Sequence, residues 1–116
     1  MNKYVLLIRN VGNPMEGLSE SETQEHMAAW GKWMGELGQS GTMIDGLPFS
    51  PNAAVISDGD KISDGLHVEA NGVNVGGYLI INAENLGAAV EISKGCPALG
   101  SPTSSVEVRE CMDMTM

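Results

Sequence analysis

A mainly apolar stretch at residues 75–83, Val-Gly-Gly-Tyr-Leu-Ile-Ile-Asn-Ala, constrains the fold of this chain more than any other segment. Its β-branched and aromatic residues are typical of a buried strand. A polar loop at residues 64–74 precedes it, and a helix-like run at residues 84–94 follows and stops at Gly95 and Pro97. The order loop, strand and crossover helix indicates a domain in which helices pack on a sheet.

The first third of the chain repeats this pattern. Residues 4–9 form an aliphatic run and predict the first strand. Ser19 and Glu22 have the spacing of a capping box, and a helix is expected over residues 20–37. Apolar residues recur along it at helical spacing: Met27, Trp30, Met34 and Leu37. Gly31 and Gly35 weaken this helix, and we expect them to admit a close neighbour in the sheet.

Short strands complete the architecture. They are predicted at residues 42–47, at residues 53–57 and 61–63 around an Asp-Gly-Asp turn, and at residues 105–111. Residues 112–116 are expected to fray. Two β-α-β units with an inserted hairpin make an α+β, ferredoxin-like sandwich with both helices on one sheet face. The opposite face would carry apolar residues, and we expect a second copy to cover it in a homodimer.

Length and charge exclude several classes of protein. The 116 residues, with a mass of 12.2 kDa, suit a single domain over residues 1–116. The net charge is −9 and the six cations are scattered, so we expect no binding to nucleic acid or to anionic membranes. Two cysteines, Cys96 and Cys111, and no signal-peptide pattern predict free thiols in a cytoplasmic protein. No metal spacing and no phosphate-binding loop is present, so no metal or cofactor is expected.

Several short motifs in a fixed order resemble the YCII-related (DGPF) domain family. They are an opening strand at Lys3, a Leu-Pro turn at Leu47, Asp64-Gly65 with Glu69, Gly76-Gly77-Tyr78, and a closing strand at Val106. The likeness covers about residues 3–110. It implies a dimeric α+β barrel, in which two sheets pack across the subunit interface.

The chain departs from the resembled pattern at two places. The Pro-Phe of the family motif is Leu66-His67 here. Members of the family that are proposed to be catalytic use a His on the first helix together with an Asp. Trp30 stands at that helix position in this chain, and His26 lies one turn earlier. The resemblance therefore does not transfer a catalytic role position for position.

The candidate catalytic residues are His67, Asp64 and His26, because a histidine beside a carboxylate can transfer protons near neutral pH. Each has a structural alternative. His26 could be a polar residue in the exposed N-terminal half of its amphipathic helix, His67 could replace an aromatic ring in a loop, and Asp64 with Gly65 is typical of a turn. A second carboxylate, Glu69, could also pair with His67.

The candidate ligand-binding residues are Trp30, Trp33 and Tyr78, which could equally be core residues. Together these patterns predict a homodimer that binds a small organic molecule in a cleft, with histidine-carboxylate chemistry of the isomerase or lyase type. The alternative is a non-catalytic interaction or regulatory module, since members of the resembled family occur beside transcription-initiation factors. The sequence does not decide between an enzyme and such a module.

Overall fold

The computed structural model describes residues 1–114. In chain order the elements are β1 (Asn2–Val11), α1 (Glu20–Gln39), β2 (Met43–Pro48), β3 (Ala54–Ser57), β4 (Lys61–Asp64), β5 (Val73–Ala83), α2 (Leu86–Ser93), a short 3₁₀ helix (Pro97–Gly100) and β6 (Ser105–Glu110). Residues 112–114 belong to no helix or strand, and residues 115 and 116 of the predicted frayed tail lie outside the described residues. Within residues 1–114, no helix is long and apolar enough to cross a membrane.

Four strands form one antiparallel sheet in the order β2-β5-β1-β6. The two longest strands, β1 and β5, therefore lie in the middle of the sheet. The two strands of each β-α-β unit are separated by one strand of the other unit. This is the strand order of a ferredoxin-like fold, and the predicted α+β class is confirmed.

The core lies between the helices and one face of this sheet. Alternate residues of β1, namely Tyr4, Leu6 and Ile8, are buried there, together with Leu79 and Ile81 of β5. Half-buried residues of α1 and α2 pack against them, among them Trp30, Trp33, Met34, Leu37 and Ile92. Ser19 and Glu22 form both hydrogen bonds of the predicted capping box, which fixes where α1 begins.

The expected role of Gly31 and Gly35 is wrong. A Cβ at either position would meet no heavy atom within 4 Å, apart from the glycine's own neighbours along the helix, so neither glycine admits the sheet. The close approach occurs instead at Gly95, after α2, where a Cβ would lie 2.8 Å from the indole nitrogen of Trp33. Helical spacing identified the correct face of α1 but could not say which glycine meets a bulky neighbour.

A β-bulge shifts the register between β1 and β5. Ile8 pairs with Gly77 and Arg9 pairs with Val75, so Gly76 is the extra residue. A Cβ on Gly77 would lie 3.1 Å from the carbonyl oxygen of Leu47 on β2. The Gly-Gly pair thus lets three strands approach closely at the end of the sheet that borders the candidate site.

The second sheet is the predicted hairpin, in which β3 pairs with β4 in a separate two-stranded ribbon. Asp58 and Gly59 have φ angles of 50° and 82°, the left-handed conformation that its turn requires. Ile56 and Ile62 face each other across the ribbon and are 66% and 68% exposed.

The sheet face away from the helices carries Val5, Leu7 and Ile80, all partly exposed. Arg9 and Glu107 form an ion pair on the same face. The hydrogen bond from Arg9 and its positive charge lower the pKa of the Glu107 carboxyl. Apolar central strands flanked by charged residues give this face the composition of a surface that can pair with a second protein.

Candidate ligand-binding site

A cavity of about 730 Å³ lies between α1 and one end of the four-stranded sheet. The loop after β1 contributes Pro14 and Met15, and α1 contributes one side of the wall through Met27, Trp30 and Met34. The segment after β2 supplies Phe49, and the glycines of the bulge form the floor. Neither glycine has room for a side chain, because a Cβ at Gly76 would overlap the Asn10 amide and a Cβ at Gly77 would lie 3.1 Å from the Leu47 carbonyl oxygen.

The wall of this cavity is mainly apolar. Methionine, proline, aromatic and aliphatic residues together make up most of it, and among residues 1–114 no Asp, Glu, Lys or Arg lines it. Unbranched methionines adapt their shape to the molecule beside them. A concave apolar space with few polar groups is the usual form of a small-molecule site.

His26 and Trp30 form the polar feature of the helix wall. The indole N–H of Trp30 donates to Nε2 of His26 at 3.0 Å, so this nitrogen is unprotonated and the ring proton lies on Nδ1. The two residues are one helical turn apart, which places them on the same side of α1. Trp30 also contacts Trp33 edge to face at 5.7 Å between ring centres. These contacts hold the Trp30 ring in a fixed orientation.

The other two predicted ligand-binding residues have different surroundings. Trp33 packs against the core and Gly95 and does not line the cavity. Tyr78 borders it, but its side chain lies on the sheet face of Leu7 and Ile80, where its hydroxyl donates to Asp45 Oδ2 at 3.0 Å. That hydrogen bond is the largest cause that raises the pKa of Tyr78, since it stabilises the protonated phenol beside a carboxylate.

His67 and Asp64 lie away from the cavity. His67 Nε2 is 3.3 Å from Glu69 Oε1, and both side chains are more than half exposed. The pair borders a smaller hollow beside Arg9 and Val75. No hydrogen bond joins His67 to Asp64 within residues 1–114, and Asp64 ends β4 in an exposed position. The structure therefore brings His26 and Trp30 together in the cavity wall. It places the Tyr78 ring on the other sheet face with Leu7, and His67 and Asp64 do not line the cavity.

Sequence reasoning missed Asn10 and Ser104, which form a polar spot in the cavity wall. Ser104 Oγ donates to Asn10 Oδ1 at 2.7 Å. Asn10 follows Tyr4, Leu6 and Ile8 at intervals of two and is buried like them. A polar residue in a buried, alternating position was the signal that could have identified it.

The two cysteines lie apart as free thiols, Cys96 buried and Cys111 partly buried. Burial raises the pKa of the Cys96 thiol, which disfavours the reactive thiolate. Within the described part of the chain, no three His, Cys, Asp or Glu residues are grouped so that they could hold a metal ion.

A comparison with protein families gives a match to the YCII-related domain over residues 2–115. The chain belongs to the YCII-related domain family. The match covers nearly the whole chain and therefore includes every element of the fold and every residue of the cavity. No curated protein matches this YCII-related chain.

Proposed function

We propose that this YCII-related protein binds a small organic molecule in the cavity between α1 and the sheet. The observation that carries the proposal is the cavity itself. Its volume of about 730 Å³ lies within the range of about 300–1,000 Å³ that is usual for ligand pockets. The site residues assigned to it are Trp30 as part of the wall and His26 as the polar contact, while Tyr78 borders it from β5, with its ring on the sheet face away from α1.

The packing of the domain supports this assignment. Phe49, Met15 and Trp30 could close on one another if the chain had evolved only for stability, since native cores are filled to high density. Instead the space between them is open, with Gly76 and Gly77 among the residues that line it. An apolar molecule of moderate size would replace water there and bury the aromatic wall.

Proton transfer by His26 is a second candidate function, favoured by its place in the cavity wall. The neutral ring, with Nε2 held by Trp30, would meet a ligand through its Nδ1–H. That proton has no partner among residues 1–114, where Trp30 is the one hydrogen-bonding partner of His26. In such a reaction the neutral ring would act first as a base, taking a proton on Nε2 once the Trp30 N–H moves away, while Nδ1–H donates a hydrogen bond to the ligand.

We also propose that the protein forms a homodimer, in which the open sheet faces of two copies pack against each other. Val5, Leu7 and Ile80 on that face are apolar, lie on central strands and are partly exposed in one protomer. A small domain stabilises itself by burying such a surface against a second copy. Tyr78 pairs with Leu7 on the open face, so the proposed dimer would place a second copy beside the Tyr78 ring, whereas His26 and Trp30 belong to α1 on the helix side.

Filling the cavity from the helix side tests the binding function. Gly31 lines the cavity, and a Cβ at this position meets no heavy atom within 4 Å. Gly31→Leu should therefore keep the fold and place an isobutyl group in the ligand space. We expect the protein to bind N-phenyl-1-naphthylamine, a neutral apolar dye whose fluorescence rises in apolar surroundings. We expect Gly31→Leu to weaken this binding at least about tenfold, which corresponds to about 1.4 kcal/mol.

Gly35→Leu is the matched control, because Gly35 lies one turn further along α1 and does not line the cavity. Both changes raise helix propensity by a similar amount, so a difference between them reports the cavity. Equal dye binding by the two variants, or no binding by the unaltered protein, would contradict the proposed function.

A further inference from the structure

The amide of Asn10 is held in one orientation at the sheet end of the cavity. Asn10 is 8% exposed, on the buried face of β1. Its Oδ1 accepts a hydrogen bond of 2.7 Å from Ser104 Oγ, which leaves Nδ2 on the opposite side of the amide. The side chain is thus oriented by Ser104, in the loop that precedes β6.

Nδ2 of Asn10 carries two N–H donors, and neither has a hydrogen-bond partner among residues 1–114. No fully buried side-chain nitrogen or oxygen in the described part of the chain lacks a partner, so Nδ2 retains access to open space. The space beside Asn10 is the cavity, which this residue lines. A buried donor that has no protein partner gains from an acceptor on a ligand.

Gly76 makes room for this amide. It is the extra residue of the β-bulge, and a Cβ at this position would overlap Nδ2 of Asn10. The bulge and the glycine therefore hold a pair of N–H donors at the floor of an otherwise apolar space. Bulges beside binding sites often re-aim a side chain in this way.

The charges of the cavity lining and of the whole chain indicate which class of ligand the cavity can bind. No cation lines the cavity, and the whole chain carries a net charge of −9, so a carboxylate or phosphate would lose its hydration without a counter-charge. A cationic ligand would meet the N–H donors of Asn10 and no lining carboxylate. Resting on the proposed function, we infer that the cavity takes a neutral, mainly apolar molecule whose carbonyl oxygen accepts a hydrogen bond from Asn10 Nδ2.

Three probes of nearly the same shape test this inference: 2-acetylnaphthalene, 2-ethylnaphthalene and 2-naphthoate. They present a ketone, a hydrocarbon and a carboxylate on the same ring system. We expect the ketone to bind about threefold to tenfold more tightly than the hydrocarbon, the usual range for one hydrogen bond. We expect it to bind at least about tenfold more tightly than the carboxylate at neutral pH. Affinities are measured by titration of the purified protein with each probe.

Asn10→Leu removes both donors while keeping a side chain of similar size. Without these donors, the ratio of ketone affinity to hydrocarbon affinity should fall to about one. The ratio is the measured quantity because a general loss of stability would weaken the binding of both probes alike. Gly76→Ala, which displaces the amide without removing it, is the second variant and should reduce the same ratio. Asn82→Leu, on β5 and outside the cavity wall, is the control and should leave the ratio unchanged.

The outcomes separate this inference from the proposed function. An unchanged ratio in both Asn10→Leu and Gly76→Ala, or 2-naphthoate binding as tightly as the ketone, overturns the neutral carbonyl class but leaves the cavity as a binding site. Binding of N-phenyl-1-naphthylamine without binding of the ketone also overturns the neutral carbonyl class and leaves the cavity as a binding site. Failure of all four compounds to bind overturns the proposed function itself.

Discussion

Replacing Ile81 with alanine is expected to lower the free energy of unfolding by about 2–5 kcal/mol. Ile81 is completely buried near the C-terminal end of β5, between Tyr4 of β1 and Met43 of β2. The substitution removes methyl groups from the middle of a small core, and the neighbouring strands cannot move to fill the space. Because small domains have a total stability of about 5–15 kcal/mol, this single change should bring the protein close to unfolding.

Urea denaturation followed by circular dichroism measures this loss. Ile56→Ala is the matched control, since the same side chain is removed from an exposed position on the β3–β4 hairpin. We expect the control to change stability by less than about 0.5 kcal/mol. Equal losses at the two positions would mean that the core does not lie between the helices and β5.

The second large effect is expected on the oligomeric state. Ile80→Lys places a charge in the centre of the open sheet face. The proposed dimer would bury two such charges, one from each copy. Within one protomer the new cation lies beside Asp45, its cross-strand neighbour, so the fold should tolerate it. We expect dimerisation to weaken by about 3 kcal/mol or more, about a hundredfold. Size-exclusion chromatography with light scattering would then show a monomer at concentrations at which the unaltered protein is a dimer.

Ile62→Lys introduces the same charge at an exposed isoleucine outside the four-stranded sheet. This control should remain dimeric. The proposed dimer would be contradicted if the unaltered protein were a monomer at micromolar concentration, or if Ile80→Lys and Ile62→Lys behaved alike.

Local patterns in the sequence predicted most of the fold. The aliphatic run of β1, the capping box at Ser19 and the Asp-Gly turn of the hairpin each depend on neighbouring residues, and each is present in the structure. The β-bulge at Gly76 was not predictable, because it depends on how β1 and β5 align over a separation of more than sixty residues. The bulky neighbour of Gly95 was missed for the same reason, since it comes from α1.

The candidate site was predicted less completely than the fold. Trp30 and His26 share a helix face, and helical spacing alone places them together. His67 belongs to a loop whose path no periodicity determines, and it pairs with Glu69 away from the cavity. Asn10 and Ser104 are 94 residues apart and meet only because β1 and β6 are adjacent in the sheet. Contacts between residues that are far apart in the chain are hard to predict from a single sequence, because they depend on how the strands pair.

The two tryptophans of the chain allow the most direct measurement of ligand binding in the cavity. Trp30 lines the cavity, whereas Trp33, one turn further along α1, packs against the core and Gly95. Their indole N–H signals can be followed by NMR of ¹⁵N-labelled protein during titration with 2-acetylnaphthalene, with Trp33→Phe to assign them. The account predicts that the Trp30 signal moves several times further than the Trp33 signal and reaches saturation. It would be contradicted if neither signal moved, or if Trp33 moved and Trp30 did not.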